Sequence, residues 1–243
     1  IVIISRSKHD ISDLPQDITI QQYTIQQLSQ SHHFLNNKSI SLFHLAGILD
    51  DGYIHQLSTS RINNVLQPKI NVLVDIYFIL SKFNLNSIIL FSSIFSLFGY
   101  DQLSHYAAAN GFLNGFCDYI SKTTEIPILS INWGTWSSSG MAHRLGSKFH
   151  DYWSNQGMNF VDLQLGFSLL FSLLSYNSSG LYGIFDIDFQ KYNKQFGSPI
   201  IQKIEHESII TDDIGKYHEL KRFTSQMDKA LHLLENIQTK SKQ

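Results

Sequence analysis

Along most of the chain, short β-branched or apolar runs alternate with longer segments whose apolar residues recur at helical spacing. That pattern predicts an α/β fold built on a mostly parallel sheet. The run Ile1-Val2-Ile3-Ile4 reads as a buried strand and ends in Ser5-Arg6-Ser7. Pro15 disfavours regular structure between Ser7 and Asp17. Residues 20–38, rich in Gln, Ser, His and Asn, predict a helix followed by a loop. Ser39–Leu45 is apolar enough for a central strand, and it ends at Ala46-Gly47, where small residues let a ligand approach the backbone closely. Next comes Leu49-Asp50-Asp51-Gly52, a polar loop with a glycine turn.

Ser58 or Thr59 is suited to cap a helix running to about Lys82 and interrupted near Pro68. Its apolar stripe is Ile62, Val65, Leu66, Ile70, Leu73, Val74 and Tyr77, and Lys69 falls away from it. Ser87–Phe91 is the next strand and spills into Ser92 and Ser93; a turn around Gly99 and Asp101 leads to a helix from Leu103 to about Lys122. Ile126–Asn132 predicts another strand, followed by Trp133-Gly134 and a Gly- and Ser-rich segment to Gly146. Residues 160–176 predict an apolar helix, Leu181–Ile187 the last strand, and the polar stretch after Phe189 a linker. From there Leu220, Phe223, Met227, Leu231, Leu234 and Ile237 recur at helical spacing. That tail either packs on its own domain or serves as a connecting or docking helix. The expected organisation is a catalytic domain over residues 1–190 and a linker with an amphipathic helical tail over residues 191–243.

Composition narrows this picture. A chain of 243 residues suits one or two domains, and 43% hydrophobic with 13% aromatic residues belongs to a globular protein. A net charge of −2 without a basic block argues against a nucleic-acid partner. Cys117 stands alone, so neither a disulfide framework nor a multi-cysteine zinc site is available, and a reducing, cytoplasmic setting is expected. His32-His33 has no carboxylate or cysteine at ligand spacing, so no metal is predicted. No apolar run reaches membrane-spanning length, and no basic region with a cleavage site opens the chain. The chain starts at Ile1 rather than a methionine, as a piece of a longer polypeptide would.

The candidate chemistry sits in LFSSIFSLFGYDQLSHYAAAN, residues 90–110. A hydroxyl at a strand's carboxyl end, facing Tyr106 on the next helix, suits carbonyl chemistry, since ligands of open α/β sheets bind beyond the carboxyl ends of the strands. The stretch resembles the ketoreductase domains of modular polyketide synthases, a branch of the short-chain dehydrogenase/reductase family. FHLAGILDDG at 43–52, VLQPKI at 65–70 and INWGTWSSSGMA at 131–142 carry the same resemblance, which is strong over residues 40–145 and weaker to about 190. Lys69 lies 24 residues before Ser93, Ser93 lies 13 before Tyr106, and Asn110 follows Tyr106 by four. Ordinary family members have the lysine and asparagine the other way round; the arrangement here is that of the polyketide reductases.

The resemblance implies a Rossmann-like doubly wound sheet and an NADPH-dependent reductase of a β-ketoacyl chain carried by the phosphopantetheine of an acyl carrier protein, beside other synthase domains. It makes Tyr106 the proton donor, Ser93 a hydrogen-bond donor to the same oxygen, Lys69 the cation that lowers the tyrosine pKa, and Asn110 the residue that holds Lys69 or a water chain. Ser5 and Arg6 fall where the 2′-phosphate of NADPH binds, Asp17 near adenine, and Ala46, Gly47, Trp133 and Gly134 along the cofactor. Leu49-Asp50-Asp51 resembles the B-type marker, associated with a D-configured (3R) alcohol. Phe98 replaces the A-type tryptophan eight before the tyrosine, and Met141 belongs to a lid-like segment. The chain contains no G-x-G-x-x-G, and a helix and strand usual for the family have no room between Ser7 and Asp17, so the sheet is expected to be truncated at its N-terminal side. Two rival readings follow: a fragment or remnant with idle site residues, and a redox-inactive domain that epimerises α-substituents.

Overall fold

The computed structural model describes residues 2–4, 21–30, 32–137, 147–176 and 179–196. The chain divides into one unit of residues 1–38 with 211–243 and another of residues 39–210. In the first unit, strand β1 (Val2–Ile4) pairs in parallel with β2 (Gln21–Tyr23), followed by the short helix α1 (Ile25–Gln30). The helix expected from residue 20 therefore begins later. Thr24 and Gln27 explain why: the Gln27 N–H donates to Thr24 Oγ1 at 3.2 Å and the Thr24 N–H to Gln27 Oε1 at 2.9 Å. This reciprocal cap fixes the first turn and leaves Gln21–Tyr23 for strand pairing.

The second unit is built on a four-stranded parallel sheet in the order β3 (Ile40–His44), β4 (Leu85–Ser93), β5 (Ile128–Trp133) and β8 (Gly180–Ile184). Two further short strands, β6 (Thr135–Trp136) and β7 (Phe160–Val161), pair with each other beside it. The central strands are largely apolar because helices cover the sheet: every residue of β5 is buried, and Ile88, Leu90, Ile128 and Ile131 are fully so. A Rossmann-like α/β architecture results, as the alternation of runs in the sequence predicts.

Helix α2 (Thr59–Lys69) starts at Ser58, whose Oγ accepts the Arg61 N–H at 3.3 Å. It gives way at Ile70 to α3 (Asn71–Leu80), so the interruption expected near Pro68 is present; the missing proline N–H weakens the last turn. Between β4 and β5 run the single turn α4 (Phe95–Phe98) and the long helix α5 (Ser104–Thr123). After β6 come α6 (Ser147–Asn155) and α7 (Leu163–Ser175), the latter capped by the Asp162 carboxylate on the N–H groups of Gln164 and Leu165. The apolar helix expected over 160–176 thus has a strand as its first residues.

The stretch after Phe189 does not start as a linker. It forms helix α8 (Phe189–Phe196), with Tyr192 buried among Ile94, Trp153 and Met158. Phe189, Tyr192 and Phe196 share one helical face, and the polar residues between them mask it in a composition count. The amphipathic tail from Leu220 lies outside the described residues. Among the described residues no helix is long and apolar enough to cross a membrane, and no His, Cys, Asp and Glu cluster has metal-holding geometry.

Candidate active site

The carboxyl ends of β3, β4 and β5 meet the first turns of α5 and the last turn of α2. His44 lies beside Leu90 and Ser93 beside Trp133 in the strand register. Four residues singled out from the sequence converge here, and all are buried: Tyr106 at 7% exposure, Ser93 at 6%, Lys69 at 3% and Asn110 at 0%. Tyr106 packs against Val65, Leu103 and Ala109, with Leu49, Leu66, Phe95 and Tyr100 around them. The phenol is therefore set in apolar walls, with Ser93 and Asn110 as its polar neighbours.

Lys69, which the helical pattern leaves off the apolar stripe, points inward. Its Nζ donates to the Phe91 carbonyl at 2.9 Å and lies 6.0 Å from the Tyr106 ring centroid. Burial pushes the ammonium down to about 7. This corrects one expectation: the Tyr106 phenol is raised from its ordinary value, not lowered. Its own burial is the largest cause, the Asn110 and Ser93 side chains pull the other way, and the Asp51 charge adds to the rise.

Asn110 makes no hydrogen bond to Lys69. Its Nδ2 donates to the Tyr106 carbonyl at 2.8 Å, one turn back on α5, while Lys69 is held by β4. Asn110 Oδ1 is buried with no hydrogen-bond partner among the described residues, as are His44 Nε2 and Trp133 Nε1. Buried polar atoms in this condition are costly, and a bound water or ligand atom can supply the missing bond. Ala46 and Gly47 follow β3 after Leu45 and are half-buried; Gly134 follows Trp133, and a Cβ there would meet Phe185 Cβ at 2.8 Å.

In the Leu49–Gly52 loop, Asp50 accepts Arg61 Nε at 2.9 and 3.1 Å, and burial raises Asp51. Phe98 packs on Phe185 and Tyr192 at 6.0 and 5.7 Å between ring centroids. Ser5, Arg6, Asp17 and Met141 lie outside the described residues.

Sequence reasoning missed His44, Arg61, His105 and a set of buried amides and hydroxyls behind the site. His44 is 3% exposed and is pushed down to about 3, by burial first and the Lys69 charge second; its ring bonds to the backbone of Pro68 and Lys69. It therefore stays neutral, and it ties the end of β3 to the turn that carries Lys69. Only the position of His44 at the end of an apolar strand hints at such a role.

Comparison with known proteins agrees with this geometry. The family model described as KR domain matches residues 3–138. Polyketide synthase GfsE of Streptomyces halstedii is 33% identical over 135 residues, which are 55% of this chain and 4% of that protein. The ketoreductase domain from the bacillaene assembly line superposes with a TM-score of 0.65 at 21% identity, over 80% of this chain and 51% of the other. The first ketoreductase of the tylosin PKS does so at 0.57 and 25%, over 65% and 34%. The chain thus spans a small part of its curated relative and about half of a comparable solved domain. With the matched stretch covering more than half its length, the chain belongs to the KR-domain family, the ketoreductase domains of polyketide synthases within the short-chain dehydrogenase/reductases.

Proposed function

We propose that this chain is the catalytic part of a polyketide-synthase ketoreductase that reduces a β-ketoacyl thioester to the β-hydroxyacyl thioester with NADPH. The acyl chain is carried by an acyl carrier protein, and the product is the D-configured (3R) alcohol of B-type enzymes. The observation that carries the reading is the convergence of Tyr106, Ser93, Lys69 and Asn110, all buried, at the carboxyl ends of the strands.

The residues at this end of the sheet fit a nicotinamide cofactor. Ala46, Gly47 and Gly134 are small, while Asn110 Oδ1 and Trp133 Nε1 are polar atoms that the protein itself leaves unbonded among the described residues. Ala46, Gly47, Lys69, Tyr106, Trp133 and Gly134 would hold the nicotinamide half. When bound, NADPH supplies the hydride. A phenol pushed above its ordinary value is protonated at neutral pH, so Tyr106 Oη holds the proton that the ketone oxygen must receive. Ser93 Oγ donates a hydrogen bond to the same oxygen as charge grows on it, and the apolar walls strengthen that bond by excluding water. The phenolate left behind regains its proton from solvent, with Lys69 as the nearby cation that makes the intermediate state less costly. Asp50, Asp51, Phe98 and Met141 are assigned to placing the substrate.

The test is NADPH consumption by this chain with a β-ketoacyl thioester on a carrier protein, alongside Tyr106→Phe. Turnover that falls by about a hundredfold or more in the variant is expected. Wild-type chain that neither binds NADPH nor reduces the thioester sinks the reading.

A further inference from the structure

The Leu49–Gly52 loop is held from several sides, and its two carboxylates are held differently. Asp50 is bound by the Arg61 guanidinium through Nε, at 2.9 and 3.1 Å to its two oxygens, and through Nη2. The same Nη2 donates to the Asp51 carbonyl at 2.9 Å. From α5, His105 Nε2 lies 2.8 Å from the Asp50 carbonyl; a carbonyl only accepts, so Nε2 carries the proton. His105 is 5% exposed and sits beside Tyr106 in sequence. The Gly52 N–H closes the loop on the Gln102 carbonyl at 2.9 Å. A Cβ at Gly52 would stand 3.1 Å from the Arg61 guanidinium, so the glycine leaves that fork its place.

Asp50 therefore spends its carboxylate inside the protein. Asp51 is an exposed residue overall, though partial burial raises its carboxyl; it has no ion-pair partner among the described residues, and its charge acts on Tyr106. We propose that Arg61 and His105 are positioning residues that lock the Leu49–Gly52 loop through Asp50, so that Asp51 alone presents a carboxylate to the incoming acyl chain and sets which face of its ketone is reduced. The proposal deepens the ketoreductase reading and rests on it for its stereochemical part. An arginine fork bonded to both oxygens of a carboxylate fixes direction as well as distance, which a lysine at the same place does not.

The experiment has two arms on the full chain. In the first, hydrogen exchange followed by mass spectrometry reads the amides of residues 48–53, with those of β4 as reference. Arg61→Ala and His105→Leu each raise loop exchange, by about tenfold for loss of a charge-assisted pair, while β4 is unaffected. The charge-swapped pair Asp50→Arg with Arg61→Asp restores protection. Loop exchange equal to wild type in Arg61→Ala overturns the clamp. In the second arm, the ratio of 3R to 3S product from a β-ketoacyl thioester is measured. Arg61→Ala and Asp51→Asn erode the wild-type preference, and the swapped pair recovers it. A ratio unmoved in both single variants overturns the role given to Asp51. Absence of wild-type turnover counts against the ketoreductase reading alone, because the exchange arm still decides the clamp.

Discussion

Ser92 and Ser93 are consecutive residues of β4, yet the polar side chains gathered around each are held in different ways. Around Ser92 the bonds close on themselves. Asn132 Oδ1 accepts from Ser92 Oγ at 3.0 Å, Ser96 Oγ at 2.7 Å and Asn114 Nδ2 at 2.9 Å. Asn114 Oδ1 in turn accepts from Ser130, and Asn132 Nδ2 donates to the Tyr182 carbonyl. Ser93 Oγ accepts the Phe95 N–H at 3.3 Å, and at this end of the sheet bonds are left open: Asn110 Oδ1, His44 Nε2 and Trp133 Nε1 are buried without a partner among the described residues. A buried polar group with its bonds made contributes to a unique fold, whereas one without them costs stability until a ligand supplies the bond. The difference separates scaffold from site within one turn of chain.

The sharpest way to break this comparison is to remove one hydroxyl from each group. Ser93→Ala is expected to lower kcat by about a hundredfold, as loss of an oxyanion donor does, with a change in unfolding free energy below about 1 kcal/mol. Ser92→Ala should do the reverse, sparing kcat and lowering stability. Steady-state kinetics and urea unfolding on the same preparations read both. A Ser93→Ala protein with wild-type kcat would remove Ser93 from the site.

Asn132→Ala addresses the closed group as a whole. It takes away the acceptor shared by β4, α4 and α5 and opens a small cavity between strands, so a loss of about 3 kcal/mol is expected. Equilibrium unfolding measures it. A loss under about 1 kcal/mol would mean that the serines and Asn114 find other acceptors, and that the contrast between the two groups is one of geometry only.

How much of this was legible before the structure follows the same division. Buried parallel strands are written as apolar runs, so β3, β4, β5 and β8 stand out in the sequence. β2 does not, because Gln21-Gln22-Tyr23 has the composition of a surface segment. α8 hides for a related reason, its aromatic face being diluted by Gln, Lys and Asn. At the site, the spacing of Lys69, Ser93, Tyr106 and Asn110 locates the residues, but not how much water surrounds them. The resemblance makes Lys69 the cation that lowers the Tyr106 pKa; burial instead lowers the lysine and raises the tyrosine. The Asp50–Arg61 pair is invisible for a different reason. Its partners are separated by a turn and a helix start, and only the folded loop shows which of two adjacent aspartates is taken.

The smallest effect concerns Lys69, the one charge-bearing member of the open group. Its folded value of about 7 lies below the unfolded 10.5. Between these values the unfolded chain binds a proton that the folded chain does not, so stability rises with pH across that window, at a slope approaching about 1.4 kcal/mol per pH unit. Below pH 7 both states are protonated, and the cost of burying the ammonium is present in full. Lys69→Met keeps the apolar stem and removes the titration, at the loss of the bond to the Phe91 carbonyl. The difference in unfolding free energy, wild type minus variant, should therefore climb from pH 7 toward pH 10 and be flat below 7. Taking the difference at each pH cancels Cys117, which burial raises to about 11 and which acts with the opposite sign above pH 9. A difference that does not vary with pH would mean that Lys69 keeps its charge when folded. The phenol would then have the cation that the family resemblance implies, and the open group would owe its character to Asn110, His44 and Trp133 alone.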